Sequence, residues 1–440
     1  MSRGKTELEI NLPSILYGEG DRLSLLKMIL DDLDHPDNNF QIIHLAGTNG
    51  KGSTSTMIAK ILEEMDYKVG LFTSPNVVSE ADGIKINGIN ISQDEMNEAK
   101  KILNESLSRL KISAKEISYF ETIFLLAVIH FSLKNIDYLV LECGLGGELD
   151  ATNAVSNSLY EIFTKIDFDH MAILGDSLEE IATTKSKIIK KNSRVLISDQ
   201  QNPLVVNIVK KESLESGARF IDKPVKNIKG EFSKIARKKI SFEYQEKTYI
   251  IDFSLAGTYQ QENLQLVLNW YFDFIKINNL ESDTELLSRA LGNINLSGRF
   301  EKLYSNPEVI IDGAHNPNAI RQLVDTLKLG YKQRSLIIIL GFLKDKDVEK
   351  SLQILSELKA SFIVTEPDNE RKMAAQDLEN KLFEHNMTSL GAYKQVDLAL
   401  DMAISEASKN KNSLILIMGS LYLVNPVQES LAKLGENHEN

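Results

Sequence analysis

The chain reads as an α/β protein in two parts: a P-loop-containing central domain built on a mainly parallel sheet, then a smaller C-terminal Rossmann-like α/β domain. Three observations predict this. Short β-branched runs alternate with helical patterns from residue 41 onward. A glycine-rich loop stands directly after the first such run. Beyond residue 297 the same alternation starts afresh after a stretch of different texture.

In order along the chain, Gln41–Ala46, Val69–Thr73 and Tyr138–Glu142 have the near-continuous apolar character of strands buried on both faces. Residues 54–65 and 121–133 carry helical patterns between them. Strands separated by helices make a parallel sheet covered on its faces. From Lys239 to Leu255 the period changes to two across a polar turn at Gln245–Lys247, which predicts an antiparallel hairpin. A helix rich in Gln, Asn and Leu follows over Gln260–Ile277. The stretch 293–300, with Ser297-Gly298-Arg299, reads as a hinge, so the domains are drawn as 1–296 and 297–440. Strands at Val309–Asp312, Leu336–Leu340, Phe362–Thr365 and Leu414–Met418 build the second domain, and Gly435–Asn440 is a polar tail. The chain shows no internal repeat and no low-complexity segment.

At 440 residues two or three domains have room for buried cores. The 50 Lys and Arg against 62 Asp and Glu leave a net charge of −12, which argues against nucleic-acid or anionic-membrane partners. A local group of cations and a metal still suits an anionic small molecule. Cys143 is the single cysteine, so neither an internal disulfide nor a cysteine zinc site is expected. The segment Met1–Ile10 is charged and lacks a signal peptide's apolar core. The longest apolar run, Ile123–Ile129, is far short of the roughly 20 residues that span a bilayer. A cytoplasmic monomer is the simplest expectation.

Gly47-Thr48-Asn49-Gly50-Lys51-Gly52-Ser53-Thr54 lies between a strand and a helix. Glycines let backbone N–H groups turn toward a phosphate, and the helix N-terminus adds partial positive charge. Lys51 is placed to reach terminal phosphates, and Ser53 or Thr54 to put a hydroxyl on Mg²⁺. The spacing departs from the common phosphate loop: two residues separate Gly47 from Gly50, and Gly52 stands between Lys51 and Ser53. After the third strand, Glu142 ends in a Gly-rich segment, Gly144-Leu145-Gly146-Gly147-Glu148-Leu149-Asp150-Ala151-Thr152-Asn153. A carboxylate at a strand's C-terminal end is where α/β proteins place function, and it suits Mg²⁺.

The string Ala46 to Ser53 resembles the nucleotide loop of the folylpolyglutamate and dihydrofolate synthases, relatives of the Mur ligases, and Mur-ligase-like motifs continue in order to about residue 422. The resemblance implies ATP bound by Gly47 to Thr54, with Asn263 of Gly-Thr-Tyr-Gln-Gln-Glu-Asn holding adenine and Arg299 neutralising phosphate charge. It implies metal ligation by Ser53, Glu142, His170 of Asp167-Phe168-Asp169-His170, read as the end of another strand, and Ser74 of Phe-Thr-Ser-Pro. Asp150 takes a place in the folate pocket. Lys185 stands where the family carbamylates a lysine, giving an anionic oxygen ligand, although Thr184-Lys185-Ser186-Lys187 departs from the usual flanks. In the second domain, Asp312 and His315 of Asp-Gly-Ala-His-Asn-Pro face the nucleotide. Lys51, Lys185 and His315 form the implied catalytic set.

The activity so implied is ATP-dependent joining of L-glutamate to a folate, or to dihydropteroate, through an acyl phosphate. Mg²⁺ is the implied metal, with a monovalent cation such as K⁺ as an extra. Closure of two domains over the site would exclude water. One loop departs from the family: Asn76 replaces a His, and Asp82-Gly83 replaces Glu-Arg near the pterin. A relative glutamylating another acceptor, and a non-catalytic nucleotide-binding homologue, are the competing readings. The second domain lacks Gly-x-Gly-x-x-Gly, which disfavours a dinucleotide site.

Overall fold

The computed structural model describes residues 20–75 and 80–438; the side chains of Glu80 and of residues 434–438 are outside that description, as are Asn76–Ser79 with the substituted Asn76, and the charged N-terminal segment. The chain forms two compact units. One comprises Met1–Lys226, Glu243–Lys247 and Asn263–Leu291; the other comprises Asn227–Phe242, Thr248–Glu262 and Gly292–Asn440. The hairpin region therefore goes largely with the second unit, ahead of residue 297.

Among its described residues, the first unit carries an eight-stranded sheet. Its strands are β1 Gln41–Ala46, β2 Val69–Phe72, β3 Ile84–Ile86, β4 Ile89–Asn90, β5 Tyr138–Glu142, β6 Tyr160–Phe163, β7 Arg194–Ile197 and β8 Arg219–Phe220. They lie in the order β4-β3-β2-β5-β1-β6-β7-β8. From β2 to β8 neighbours run parallel, and β3 and β4 add an antiparallel edge. β1 and β5, side by side at the centre, are buried along nearly their full length. Helix Tyr119–Leu133 covers one face with Phe124, Leu125, Val128 and Phe131; the other face packs Ala46, Phe163, Val195 and Ile197 against Ile181 and Val205. Both βα ends flanking β1 place functional loops at the sheet's C-terminal edge, where such folds bind ligands.

Strands β9 Lys226–Lys229, β10 Lys238–Tyr244 and β11 Lys247–Phe253 form a three-stranded sheet in the order β11-β10-β9. Gln245 and Glu246, at φ 48° and 63°, make the two-residue turn, which twists with the strands as left-handed pairs do. The second unit holds a six-stranded sheet of β12 Glu301–Ser305, β13 Glu308–Asp312, β14 Ser335–Leu340, β15 Ala360–Thr365, β16 Ser389–Tyr393 and β17 Ser413–Met418. Their order is β12-β13-β17-β14-β15-β16; β12 is antiparallel and the others parallel. Ile310, Ile338, Leu340 and Leu416 pack beneath Leu323 and Leu327 of helix Pro317–Gly330.

The α/β class and the parallel sheets are as the sequence predicts. Differences fall at edges and ends. The helix after the phosphate loop begins at Lys51, three residues earlier than its apolar pattern, because the loop itself supplies the first turn. Asp167–His170 does not end a strand: β6 stops at Phe163, and the acidic segment is a loop. At the C-terminus, helix Val424–His438 runs through residues expected to be a loose tail. Among the described residues, no helix is long and apolar enough to cross a membrane.

Candidate active site

The phosphate loop is held in shape by the segment that follows β6. Thr48 N and Asn49 N donate to Lys165 O at 2.7 and 3.2 Å. Thr48 Oγ1 donates to Asp167 O at 2.9 Å and accepts from Asp167 N at 3.0 Å. The segment after β6 thus pins the loop, and helix Lys51–Glu64 opens from Gly50 at φ +91°. A helix N-terminus offers N–H donors and positive potential to an anion. Only glycine fits at Gly50: the backbone is left-handed, and a Cβ there would sit 2.3 Å from Asn263 Oδ1. The same closeness sets the Asn263 amide against the loop. Gly50→Ala is expected to weaken nucleotide binding by about tenfold, through backbone strain plus displacement of Asn263. Calorimetric titration with ADP checks this, and an unchanged affinity contradicts it.

Glu142 ends β5, is 3% exposed, and points at the loop helix: a Cβ on Gly52 would lie 3.6 Å from its Oε2. Ser53, also buried, lies in that same first turn. Ser74 follows β2, whose Phe72 pairs in register with Leu141 next to Glu142. His170, left-handed at φ 50°, caps the short helix Met171–Leu174 and has Asp169 Oδ2 at 3.9 Å from Nε2. Its backbone N donates to Asp169 Oδ1 at 2.9 Å. Among the described residues, no three His, Cys, Asp or Glu side chains gather to enclose a metal. Of these residues, Glu142 and Ser53 are brought to the same helix turn, and a carboxylate beside a hydroxyl is a donor pair that suits Mg²⁺.

Lys185 is buried, and its Nζ donates to Gly47 O at 3.0 Å. Lys51 Nζ donates to the same oxygen at 3.1 Å and to Thr48 O at 3.4 Å. Burial, and then the charge of Lys51, lower the Lys185 amine to about 7, while Cys143, Asp169 and Asp150 pull weakly the other way. A neutral amine is the form that reacts with CO₂. Helix Leu178–Ser186 is docked through Gly147, whose Cβ would meet Thr184 O and Lys185 O at 2.7 Å, and through Glu148 N donating to Thr184 O at 2.8 Å. Asp150 is 2% exposed and accepts from Leu145 N at 2.6 Å and Thr152 N at 3.0 Å. Burial raises its carboxyl, and these hydrogen bonds oppose the rise.

In the second unit, Asp312 binds together the motif around Arg299. Its Oδ2 accepts from Phe300 N at 2.9 Å and Tyr259 Oη at 2.8 Å; its Oδ1 accepts from Ala314 N at 2.8 Å. Gly313 N donates to Gly298 O at 2.8 Å, and Arg299 Nη1 lies 3.4 Å from where a Gly313 Cβ would be. Phe300 sits at φ +47°, a costly conformation for an aromatic residue, held by this net and by its packing on Tyr331. Asp312 is 3% exposed, and its bonds turn inward to Phe300, Tyr259 and Ala314. His315 Nδ1 donates to Gly313 O at 2.8 Å, which directs Nε2 away from that carbonyl. Asp312→Ala is expected to destabilise the unit by about 3 kcal/mol, since three donors lose one buried acceptor. Denaturant unfolding reads this, and a loss below 1 kcal/mol contradicts it.

Sequence reading missed the carbonyls of Lys165 and Asp167, since a backbone clasp leaves no residue signature. It also missed Tyr259, whose partner is 53 positions away. Asp82 and Gly83, the substituted pair, lie in a 3₁₀ turn at Glu80–Gly83. Asp82 accepts from Asn90 at 3.1 Å, and Gly83 O accepts from Thr73 N at 3.0 Å.

Comparison with known proteins identifies the family. The Mur ligase middle domain matches residues 45–270, and the Mur ligase glutamate ligase domain matches 298–421. A dihydrofolate synthase/folylpolyglutamate synthase of Bacillus subtilis is 31% identical over 424 residues, covering 94% of this chain and 96% of its own. The folylpolyglutamate synthase of Lacticaseibacillus casei is 26% identical, covering 94% of each chain. Among solved structures, Mycobacterium tuberculosis folylpolyglutamate synthase complexed with ADP and AMPPCP is similar with a TM-score of 0.85 and 25% identity, over 93% of this chain and 95% of that one. Escherichia coli FolC in complex with DHPP and ADP gives 0.80 and 25%, over 96% and 95%. The chain therefore belongs to the dihydrofolate synthase/folylpolyglutamate synthase family of the Mur ligases.

Proposed function

We propose that this protein is an ATP-dependent ligase that joins the amine of L-glutamate to a folate carboxylate. The observation that carries the reading is the rigid Gly47–Ser53 loop with Lys51 inside it and Glu142 aimed at its helix. Such an arrangement suits phosphoryl transfer, which needs positioning and charge neutralisation more than covalent help. An acceptor carboxylate oxygen attacks the γ-phosphorus of ATP, the bond to ADP breaks, and an acyl phosphate forms. The glutamate amine then attacks the acyl carbon, the C–O bond breaks, phosphate departs, and the nitrogen loses a proton.

In this reading Lys51 and the loop N–H groups bind the phosphates, Asn263 the adenine, Arg299 neutralises charge, and His315 faces the nucleotide. Glu142, Ser53, Ser74 and His170 would hold Mg²⁺, which shields the phosphate oxygens from the incoming carboxylate. Lys185, as a carbamate, would turn a neighbour that repels Lys51 into one that attracts it. Asp150 belongs to the acceptor pocket. Dihydropteroate as a second acceptor is part of the same reading, supported by the double name of the Bacillus subtilis relative. So is a cytoplasmic monomer acting on small molecules, with no nucleic-acid or membrane partner.

The test offers purified protein ATP, Mg²⁺ and glutamate with dihydropteroate, tetrahydrofolate or a monoglutamyl folate in turn. Phosphate release requiring both glutamate and one of these acceptors is expected. Release without glutamate, or none with any acceptor, contradicts the reading.

A further inference from the structure

His44 lies at the middle of β1, wholly buried, in a strand otherwise made of Gln, Ile, Leu and Ala. A leucine would be cheaper there. Burial holds the imidazole neutral, lowering its pKa to about 3. Its Nδ1 has no hydrogen-bond partner, a loss that burial makes costly. Only Nε2 repays it: Thr152 Oγ1 lies at 2.9 Å and Cys143 Sγ at 3.1 Å.

The direction of these bonds follows from counting protons. Thr152 has one hydroxyl proton and three neighbours: the Asp150 carboxylate, Cys143 Sγ at 3.4 Å, and His44 Nε2. The carboxylate is the strongest acceptor and the closest, so the proton goes to Asp150 Oδ1. Thr152 Oγ1 then accepts from His44 Nε2–H and Nδ1 is left as a bare lone pair; the alternative, with the Cys143 thiol donating to Nε2, would bury an Nδ1–H with no acceptor. The opposite order would take the hydroxyl from the carboxylate and bury an Nδ1–H with no acceptor. Leu145 N and Thr152 N complete the grip on Asp150.

We propose that His44 is a positioning residue for acceptor binding: by donating from Nε2 it commits the Thr152 hydroxyl to Asp150 and fixes that carboxylate's orientation. This rests on the assignment of Asp150 to the folate acceptor. His44 touches no substrate; it acts through two other side chains, from the strand that also delivers the phosphate loop.

The experiment combines kinetics with a direct view of the ring. Thr152→Val keeps the shape and removes the relay; it is expected to raise the KM for tetrahydrofolate about fivefold, the worth of one buried hydrogen bond, with the KM for ATP unchanged. Thr152→Ser should restore the value. His44→Leu should behave as the valine variant, and His44→Gln, with a donor at similar reach, should recover most of the loss. If His44→Leu does not fold, the Thr152 pair carries the test. Nitrogen-15 NMR of the histidine rings should show His44 with its proton on Nε2. Three outcomes overturn the proposal. An Nδ1–H ring does so regardless of kinetics. An unchanged tetrahydrofolate KM in Thr152→Val, while Asp150→Asn raises it, removes the relay and keeps the acceptor assignment. An unchanged KM in Asp150→Asn removes the acceptor assignment, and the positioning role with it.

Discussion

Lys51→Ala is expected to lower kcat/KM for ATP-driven glutamate addition on the order of 10³-fold, the scale of losing a cation that offsets charge in phosphoryl transfer. The fold should survive. Among the described residues Lys51 Nζ donates to Gly47 O and Thr48 O, two carbonyls of its own loop, while the loop's shape depends on the Lys165 and Asp167 clasp. Those two bonds hold the ammonium beside the helix N-terminus, ready to exchange for a phosphate's stronger charge-assisted bonds. Steady-state kinetics with an unfolding curve on the same variant separates the two effects. Full activity contradicts the assignment, and collapse of the fold would give Lys51 a structural role instead.

Lys185→Met carries the second large effect, in two readouts. Activity should fall by about 10²-fold or more, because the methionine cannot form a carbamate and leaves Lys51 without its anionic neighbour. In ¹³C NMR with labelled bicarbonate, a carbamate signal should appear in the parent protein and be missing in the variant. Stability should move the other way. In buffer freed of CO₂ and bicarbonate Lys185 is an amine, lowered to about 7 in the folded protein against 10.5 ordinarily, because burial and Lys51 disfavour its charge. Below pH 7 the folded state bears the full cost of a buried ammonium. Between pH 7 and 10.5 it sheds the proton that the unfolded chain retains, so stability rises with pH, by up to about 1.4 kcal/mol per unit from this group. Above 10.5 the cost is gone. The variant should lose that slope and be more stable at pH 6. Equal pH slopes in the two proteins contradict the buried-amine account. In Lys51→Ala, Lys185 loses one of its two main depressing influences, so its pKa should rise.

How much of this was legible in the sequence depended on the range of the interaction. The loop from Gly47 to Ser53 was readable because strand, glycines, lysine and helix are contiguous, and each carries its own local preference. The hairpin was readable from period two, though the polar Gln245-Glu246 turn lacks glycine and gave no hint that both residues are left-handed. Glu142 could be placed because a parallel strand's end is a fixed location. Asp312 could be picked out as part of a motif, but its inward role could not, since Tyr259 and Phe300 reach it only after folding. Edge strands β3, β4 and β12 were invisible: each is short, β3 and β12 are partly exposed and β4 is exposed throughout, and neither continuous apolarity nor clean alternation marks them. His44 did leave a mark, a polar residue inside an apolar strand, whose meaning waited on Thr152 at 108 positions' distance.

In the proposed reaction ATP activates the acceptor's own carboxylate. An acceptor labelled with ¹⁸O in both carboxylate oxygens tests it most directly. The released phosphate should carry one ¹⁸O for every glutamate attached, with the second left in the new amide. Glutamate attachment accompanied by unlabelled phosphate would mean that no acyl phosphate forms, and the roles given to Lys51, Arg299 and the loop would fall with it.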